Sequence, residues 1–446
     1  MLALGWVARL VYAGRFSGRV WIDELWVVQE PAFRLLTGQG FLNPMDWAER
    51  IRSWLPPLLV LAPLKVLHAV GLGLWGPMAV RLLIMGANTV ALLRLSAAAS
   101  QRLGVRGAPW LAVGCGLFTP ELIRHGASCD LSVLAFPFLV EGLLRWHATA
   151  RIAALWFAAA ALVRNQYVVV PAALFLHCLV SKRKEGVRAL GIAAAVAFVL
   201  DASVNSLLYG FEVYPFWNYA RINLGGQANQ FGTTPFYHAI ELLWRFMTEP
   251  VCAAMTLLAV PALWRKEPAW LWAWLAITAL HVIAPHKEFR FFYGPAAMGC
   301  VFAGAALQAR LQFMARHRRW VETVAVVVLV GFMAWRGTSK VSWAQFEGPL
   351  RMTALAGRQQ DARGLIVYGW GGINNGGSYT FHQALPYEYA ETLEALRLRK
   401  LHPAAYNYLV LPTNLISPCA DRVESYGGAS LYRCNTEEFR GLLWQK

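Results

Sequence analysis

The sequence predicts an α-helical polytopic membrane protein ending in a small α/β domain. Three observations predict it. The 446 residues are 57% hydrophobic and only 15% charged, where soluble chains carry about 25% charge. Apolar runs separated by short Arg- and Lys-rich loops recur as far as residue 337. Beyond residue 338 the pattern changes to short alternating runs with turn residues between them. The domains are therefore read as 1–337, a transmembrane domain with a large first loop at 17–77, and 338–446, a small α/β domain.

A spanning helix needs about 20 apolar residues. The runs that approach this lie near 1–16, 78–98, 108–122, 131–146, 152–163, 166–181, 188–208, 237–263, 268–285, 291–308 and 320–337, about eleven in all. The first, MLALGWVARLVYAGRF, has no small-residue cleavage site and reads as a helix rather than a leader. The Pro-rich run 53–71 reads as juxtamembrane.

Basic residues orient these spans, because Lys and Arg concentrate in cytoplasmic loops. Arg94, Arg102 and Arg106 fall in one such loop, Arg145 and Arg151 in the next, then Lys182 to Arg188, Arg265 with Lys266, and Arg310 to Arg319. They alternate regularly along the chain. The net charge of +16 is thus topological, and nucleic acid is not the expected partner. The remaining loops, 18–76, 119–130, 164–165, 209–234 and 285–290, all fall on the far side with the tail. The unusual polar residues converge there, which points to a reaction at that surface. The 20 Trp suit interfacial belts.

In the tail, GLIVYGW (364–370), YNYLVLPT (406–413) and ASLYRCN (429–435) read as strands, and EYAETLEALRLRK (388–400) as a helix. GWGGINNGG (369–377) lacks the Lys-Ser/Thr of a phosphate-binding loop and reads as a turn. Of seven Cys, Cys419 and Cys434 lie in the tail and are candidates for a disulfide if it is extracytoplasmic. Cys115, Cys178, Cys252 and Cys300 read as core, and no Cys/His spacing suggests a metal. No cofactor is expected.

Several residues could carry chemistry. In RVWIDELWVVQEPAF (19–33), a helix would place Asp23 and Glu30 on one face and Glu24 elsewhere. A carboxylate there suits a general base toward a hydroxyl, or an acidic helix start. DWAERIRSW (46–54) carries Arg52, which suits either snorkelling or a phosphate. Arg124 and Arg164 end apolar runs on the far side. Asp201 sits inside an apolar stretch, and the loop after it holds Tyr209 and Asn223 among aromatics that suit a sugar or an interface. IAPHKEFRFFYGP (283–295) places His286, Lys287, Glu288 and Arg290 between two apolar runs. Ionisable groups so close to hydrocarbon are costly and usually functional. A helical turn there would bring Lys287 and Arg290 to one face, where they could hold a phosphate.

HKEFRF (286–291) resembles the HKExRF signature of the mannosyltransferases that elongate glycosylphosphatidylinositol anchors and lipid-linked asparagine glycans. Asp23-Glu24 with Glu30 resembles the family's first-loop acidic element. DWAERIRSW resembles the segment that follows it, Arg164 falls where the family has Arg after a short span, and Asp201, Tyr209-Gly210, Pro215 and Asn223 resemble its later loop. The order is the family's over residues 20–295. Trp21-Ile22 replaces the family's His-Pro, and Gln29 stands two residues beyond the family's Gln, whose place Val27 takes.

The resemblance implies a GT-C fold and transfer of a hexose, mannose by analogy, from a polyprenyl-phosphate donor to a glycan or glycolipid acceptor, with inversion. It implies Asp23, with Glu24, as catalytic; His286, Lys287, Arg290, Arg164 and Arg52 on the donor phosphate; and Glu30, Glu288, Arg124, Asp201, Tyr209 and Asn223 in binding or support. The expected place is a bacterial inner membrane with a periplasmic site, or the endoplasmic reticulum membrane with a luminal one. Transfer of a pentose or aminosugar to lipid A or an envelope polymer is an alternative chemistry. A polyprenyl-linked glycan transporter is an alternative class, but it would place ionisable residues at the bilayer midplane, in paired repeats.

Overall fold

Apolar runs fold as helices in hydrocarbon because each peptide group must find its partner within its own segment. The computed structural model describes residues 2–15, 24–42, 47–211, 214–224, 232–314, 319–340, 347–370 and 376–444. In chain order the helices are α1 (Leu2–Arg15), α2 (Glu30–Thr37), α3 (Leu55–Ala69), α4 (Gly76–Leu103), α5 (Trp110–Phe118), α6 (Pro120–His125), α7 (Leu131–Arg145), α8 (Ala150–Val163), α9 (Val169–Val180), α10 (Lys184–Tyr209), α11 (Pro215–Leu224), α12 (Phe236–Met247), α13 (Glu249–Lys266), α14 (Pro268–Ile283), α15 (Tyr293–Met314), α16 (Arg319–Lys340), α17 (Glu347–Gly357), α18 (Gly377–Phe381), α19 (Leu393–Leu398) and α20 (Thr436–Trp444). Two compact units form. One holds Met1–Tyr12, Glu49–Leu55 and Leu82–Val341; the other holds Ala13–Ala48, Pro56–Arg81 and Ser342–Lys446.

Among the described residues, four stretches are long and apolar enough to cross a membrane: Gly73–Leu103, Lys184–Tyr209, Phe289–Met314 and Trp320–Gly337. Other expected spans are interrupted by proline. The run at 108–122 divides into α5 and α6 at Thr119, which is extended (ψ 118°) ahead of Pro120. The run at 237–263 is not one straight span. It bends by 110° between α12 and α13. Thr248 takes φ 73°, and the chain restarts with Pro250 in the first turn, where a missing N–H is harmless.

In the first unit α15 is the central helix. Some 89% of its apolar window is buried, against 11% for α16. Its glycines at 294, 299 and 304 are five apart, which turns each about 140° from the last. Each meets a different neighbour: Tyr167, Met247 and the backbone of α5. A Cβ on Gly304 would lie 2.5 Å from Leu111 O, so only glycine fits. Arg9 on α1 is fully buried. It donates to Gly116 O (3.0 Å) and Leu117 O (3.2 Å), carbonyls in the last turn of α5, the negative end of that helix.

The second unit contains a five-stranded sheet with strand order β2-β1-β3-β5-β4. The strands are β1 (Leu365–Tyr368), β2 (Tyr387–Ala390), β3 (Tyr408–Pro412), β4 (Asp421–Tyr426) and β5 (Ala429–Arg433). β1 pairs parallel with β2 and β3, with Leu365 opposite Tyr387 and Tyr408. β5 pairs antiparallel with β3 and β4, with Arg433 opposite Tyr408 and Asp421. Side chains alternate between faces. Leu365 and Val367 pack with Met352 of α17 and Phe381 of α18, while Ile366 and Leu409 pack with Leu396 of α19 and Phe439 of α20. Gly427 and Gly428, at φ 54° and 81°, make the β4–β5 turn. A disulfide joins Cys419 to Cys434, with their Cα atoms 5.0 Å apart. The segment 388–400 is not helical throughout. Its first residues form β2, because Tyr387–Ala390 find a parallel partner in β1, and the helix begins only after Thr392, which caps Ala395 N.

His382 closes α18 in the left-handed region (φ 55°). Its Nδ1 donates to Tyr379 O at 3.1 Å, and its Nε2 lies 3.1 Å from Nε2 of His68 on α3. Burial pulls the His382 imidazole down to about 4. A base depressed in the folded state contributes stability that is lost as pH falls from about 6.5 to about 4. Between pH 7.5 and 5 this unit should lose roughly 2 kcal/mol. Thermal melts at the two values check this. His382→Asn, which tolerates the same backbone and does not titrate, should remove the difference.

Candidate active site

The turn between α14 and α15 is set by Pro285. The residue before it, Ala284, is extended (ψ 130°) and ends α14. Glu288 is extended as well (φ −128°, ψ 147°), and a 3-10 turn, Phe289–Phe292, leads into α15. The expected helical turn from Lys287 to Arg290 is therefore absent, and their spacing does not by itself align them. Lys287 donates to Ala284 O (2.6 Å) and Thr234 O (2.9 Å), and burial lowers its proton affinity. His286 places Nδ1 3.0 Å from Gly232 O and Nε2 2.7 Å from Glu288 Oε1. The other oxygen of Glu288 lies 2.5 Å from Arg290 Nε. Glu288 thus ties the histidine to the arginine.

Arg290 meets a second arginine across a carboxylate. Asp130 is the N-cap of α7, its Oδ1 accepting from Ser132 N at 2.8 Å. The same Oδ1 lies 3.8 Å from Arg164 Nη1, and Oδ2 lies 3.7 Å from Arg290 Nη1. Both guanidinium carbons also sit over the ring of Phe291, at 5.0 Å and 5.2 Å. Asp130, Arg164 and Arg290 are all buried. Arg164 ends α8, and its Nε and Nη2 have no hydrogen-bond partner among the described residues. Buried donors without acceptors are expensive, and planar guanidinium forks match phosphate and carboxylate oxygens. The corner thus holds two buried guanidinium groups and only partly uses their donors. Burial, then the charges of Arg124 and Arg290, holds nearby His125 well below its usual range, so it adds no charge at neutral pH.

A second polar constellation holds the segment Arg52–Trp54 within the first loop. Asp201, Asn205 and Tyr209 repeat every four residues on one face of α10. Ser53 donates to Asp201 Oδ1 (3.1 Å), Trp54 N to Asn205 Oδ1 (2.8 Å), and Tyr209 OH to Arg52 O (2.9 Å). Asp201 and Tyr209 thus fix where Arg52 stands. A cavity of about 250 Å³ lies among α8, α9, α10 and α11, walled largely by Ala154, Ala158, Ala193 and Ala194. Asn165, next to Arg164, and Asp201 are its polar edge.

With that geometry in view, residues 6–346 match the Alg9-like mannosyltransferase family. The chain belongs to this family. A curated relative of this Alg9-like chain is GPI mannosyltransferase 3 of Yarrowia lipolytica, 28% identical over 320 residues, which cover 67% of this chain and 60% of that protein. The chain thus spans less than two thirds of that relative's length. Two crystal structures of ArnT from Cupriavidus metallidurans share the fold. The one bound to undecaprenyl phosphate has a TM-score of 0.55 at 11% identity, covering 100% of this chain and 98% of that one. The apo form has a TM-score of 0.53 at 12% identity, covering 98% and 97%.

The other expected residues of this Alg9-like protein fall elsewhere. Asp23 lies outside the described residues, as does the side chain of Asn223. Glu24 opens a buried π-helical turn, Glu24–Gln29. Glu30, in the second unit, is buried and accepts from Tyr379 N (2.7 Å) and Phe41 N (2.9 Å), fastening the first loop to the tail. Arg124 pairs with Glu121 on α6 at 3.4 Å. Sequence reasoning passed over Asp130 and Phe291. Asp130 precedes an apolar run and reads as a helix cap, which it also is. Among the described residues, Cys419, Cys434 and Glu438 cluster like metal ligands, but the disulfide leaves no thiolate.

Proposed function

We propose that this protein transfers mannose from a polyprenyl-phosphate carrier to a hydroxyl of a glycan or glycolipid, at the extracytoplasmic face of the membrane. The observation that carries the reading is Arg164, a buried guanidinium with unpartnered donors beside Arg290. A phosphodiester would give those donors their acceptors. The alanine-walled cavity alongside suits the first carbons of the carrier. The topology read from charge, with about eleven spans, brings both arginines and the first loop to one surface.

In the reaction the acceptor oxygen attacks the anomeric carbon from the face opposite the phosphate, giving inversion. Asp23, or Glu24 beside it, takes the hydroxyl proton. The bond from the anomeric carbon to the phosphate oxygen breaks, and the carrier leaves as a phosphate monoester with one further negative charge. Arg164 and Arg290 meet that charge, Asp130 and Glu288 keep them aimed, and His286 and Lys287 brace the turn. The leaving group needs no proton.

The test is donor choice. Purified protein should use polyprenyl-phosphate mannose and ignore GDP-mannose. Transfer from the nucleotide sugar alone would overturn the reading. Preference for a polyprenyl-phosphate pentose or aminosugar would keep the mechanism and change the sugar.

A further inference from the structure

α15 is 22 residues long, about 33 Å, and its far end borders a second cavity of about 390 Å³. The last residues of α4, α13 and α15 meet there. Arg106, Lys266 and Arg310 line it together with Leu258, Ala262 and Phe313, and among the described residues no acidic residue lines it. The nearby Glu267 is already engaged by Arg102 (2.6 Å) and His147 (2.8 Å). Lys266 caps α4 through Leu103 O (2.7 Å). Gln312 holds the backbone of Arg106 through both of its amide atoms (2.8 and 2.9 Å), which fixes that loop without using its guanidinium. Arg310 lies over Phe313 at 5.5 Å. Three cations beside apolar side chains between helix ends present charge and hydrocarbon together.

We infer that this cleft binds one anionic phospholipid, its phosphate on Arg106, Lys266 and Arg310 and its acyl chain on the Leu258 side. Free phosphate would leave the apolar lining residues uncovered, and a zwitterionic headgroup would bring a cation to the same three charges. The occupant is therefore an anionic lipid. The site is independent of the sugar-transfer corner and does not rest on the donor proposed there.

Native mass spectrometry of the full chain in detergent tests this, with phosphatidylglycerol, phosphatidylcholine or inorganic phosphate added. One phosphatidylglycerol should be retained per chain, with phosphatidylcholine at least about tenfold weaker. Arg106→Gln with Arg310→Gln should weaken retention roughly 30-fold, because each basic residue near an anionic surface contributes about 1 kcal/mol. The lipid-free melting temperature and sugar-transfer rate of that variant should match the parent. Equal retention by parent and variant would overturn the inference, as would equal binding of phosphatidylcholine. Displacement of the lipid by millimolar inorganic phosphate would overturn its identity as a lipid site.

Discussion

Arg290→Ala should lower turnover by about 10²–10³-fold, the usual loss on removing one donor from a developing anion, while donor affinity changes far less. The reason is timing. The phosphate gains its extra charge only as the sugar leaves, so an interaction made chiefly then appears in the rate constant rather than in binding. The same substitution strips one of two cations from Asp130, whose Oδ2 lies 3.7 Å from Arg290. A buried carboxylate that loses a partner destabilises the fold. Arg290→Lys separates the two effects. It keeps the charge near Asp130 but not the planar fork, so stability should recover more fully than turnover. Donor affinity, turnover and melting temperature are the three measurements. Lost stability with normal turnover per folded molecule would reduce the turn to scaffold.

Asp23→Asn should cost about 10²–10⁴-fold in turnover, the range of general-base contributions, with the fold and donor binding intact. Amide and carboxylate are nearly isosteric, so the change removes the proton acceptor and little else. Near-normal turnover in this variant would move the role to Glu24 or Glu30. Of these, Glu30 already spends both carboxylate oxygens on backbone N–H groups, so Glu24 would be the next to test.

Much of the candidate site was legible because charge stands out against hydrocarbon. HKEFR interrupts two apolar runs, and Arg164 ends a third. What the pattern hid was who stands between the arginines. Asp130 looks like any helix cap, and only the packing of α7 against the turn shows its second task. The 3.6-residue period misled at Lys287, where the turn after Pro285 is extended at Glu288 rather than helical. In the tail, EYAETLEALRLRK has the composition of a helix, yet Tyr387–Ala390 pair with β1 because a parallel neighbour outweighs local propensity. The bend at Thr248 had its signal in Pro250, but hydropathy averaged over a window passes over one proline.

The glycines of α15 bear on how this protein tolerates change. Gly304 touches no proposed substrate group, yet even a methyl there would strike the α5 backbone at Leu111 and Ala112. Such a clash inside a close-packed bundle displaces whole helices rather than one side chain. A saturation mutagenesis screen scored only on sugar transfer would rank Gly304 beside Arg164 and Arg290. Abundance in the membrane fraction, measured for the same library, would tell them apart: the glycine variants should vanish from the membrane, while conservative arginine variants should remain there, silent.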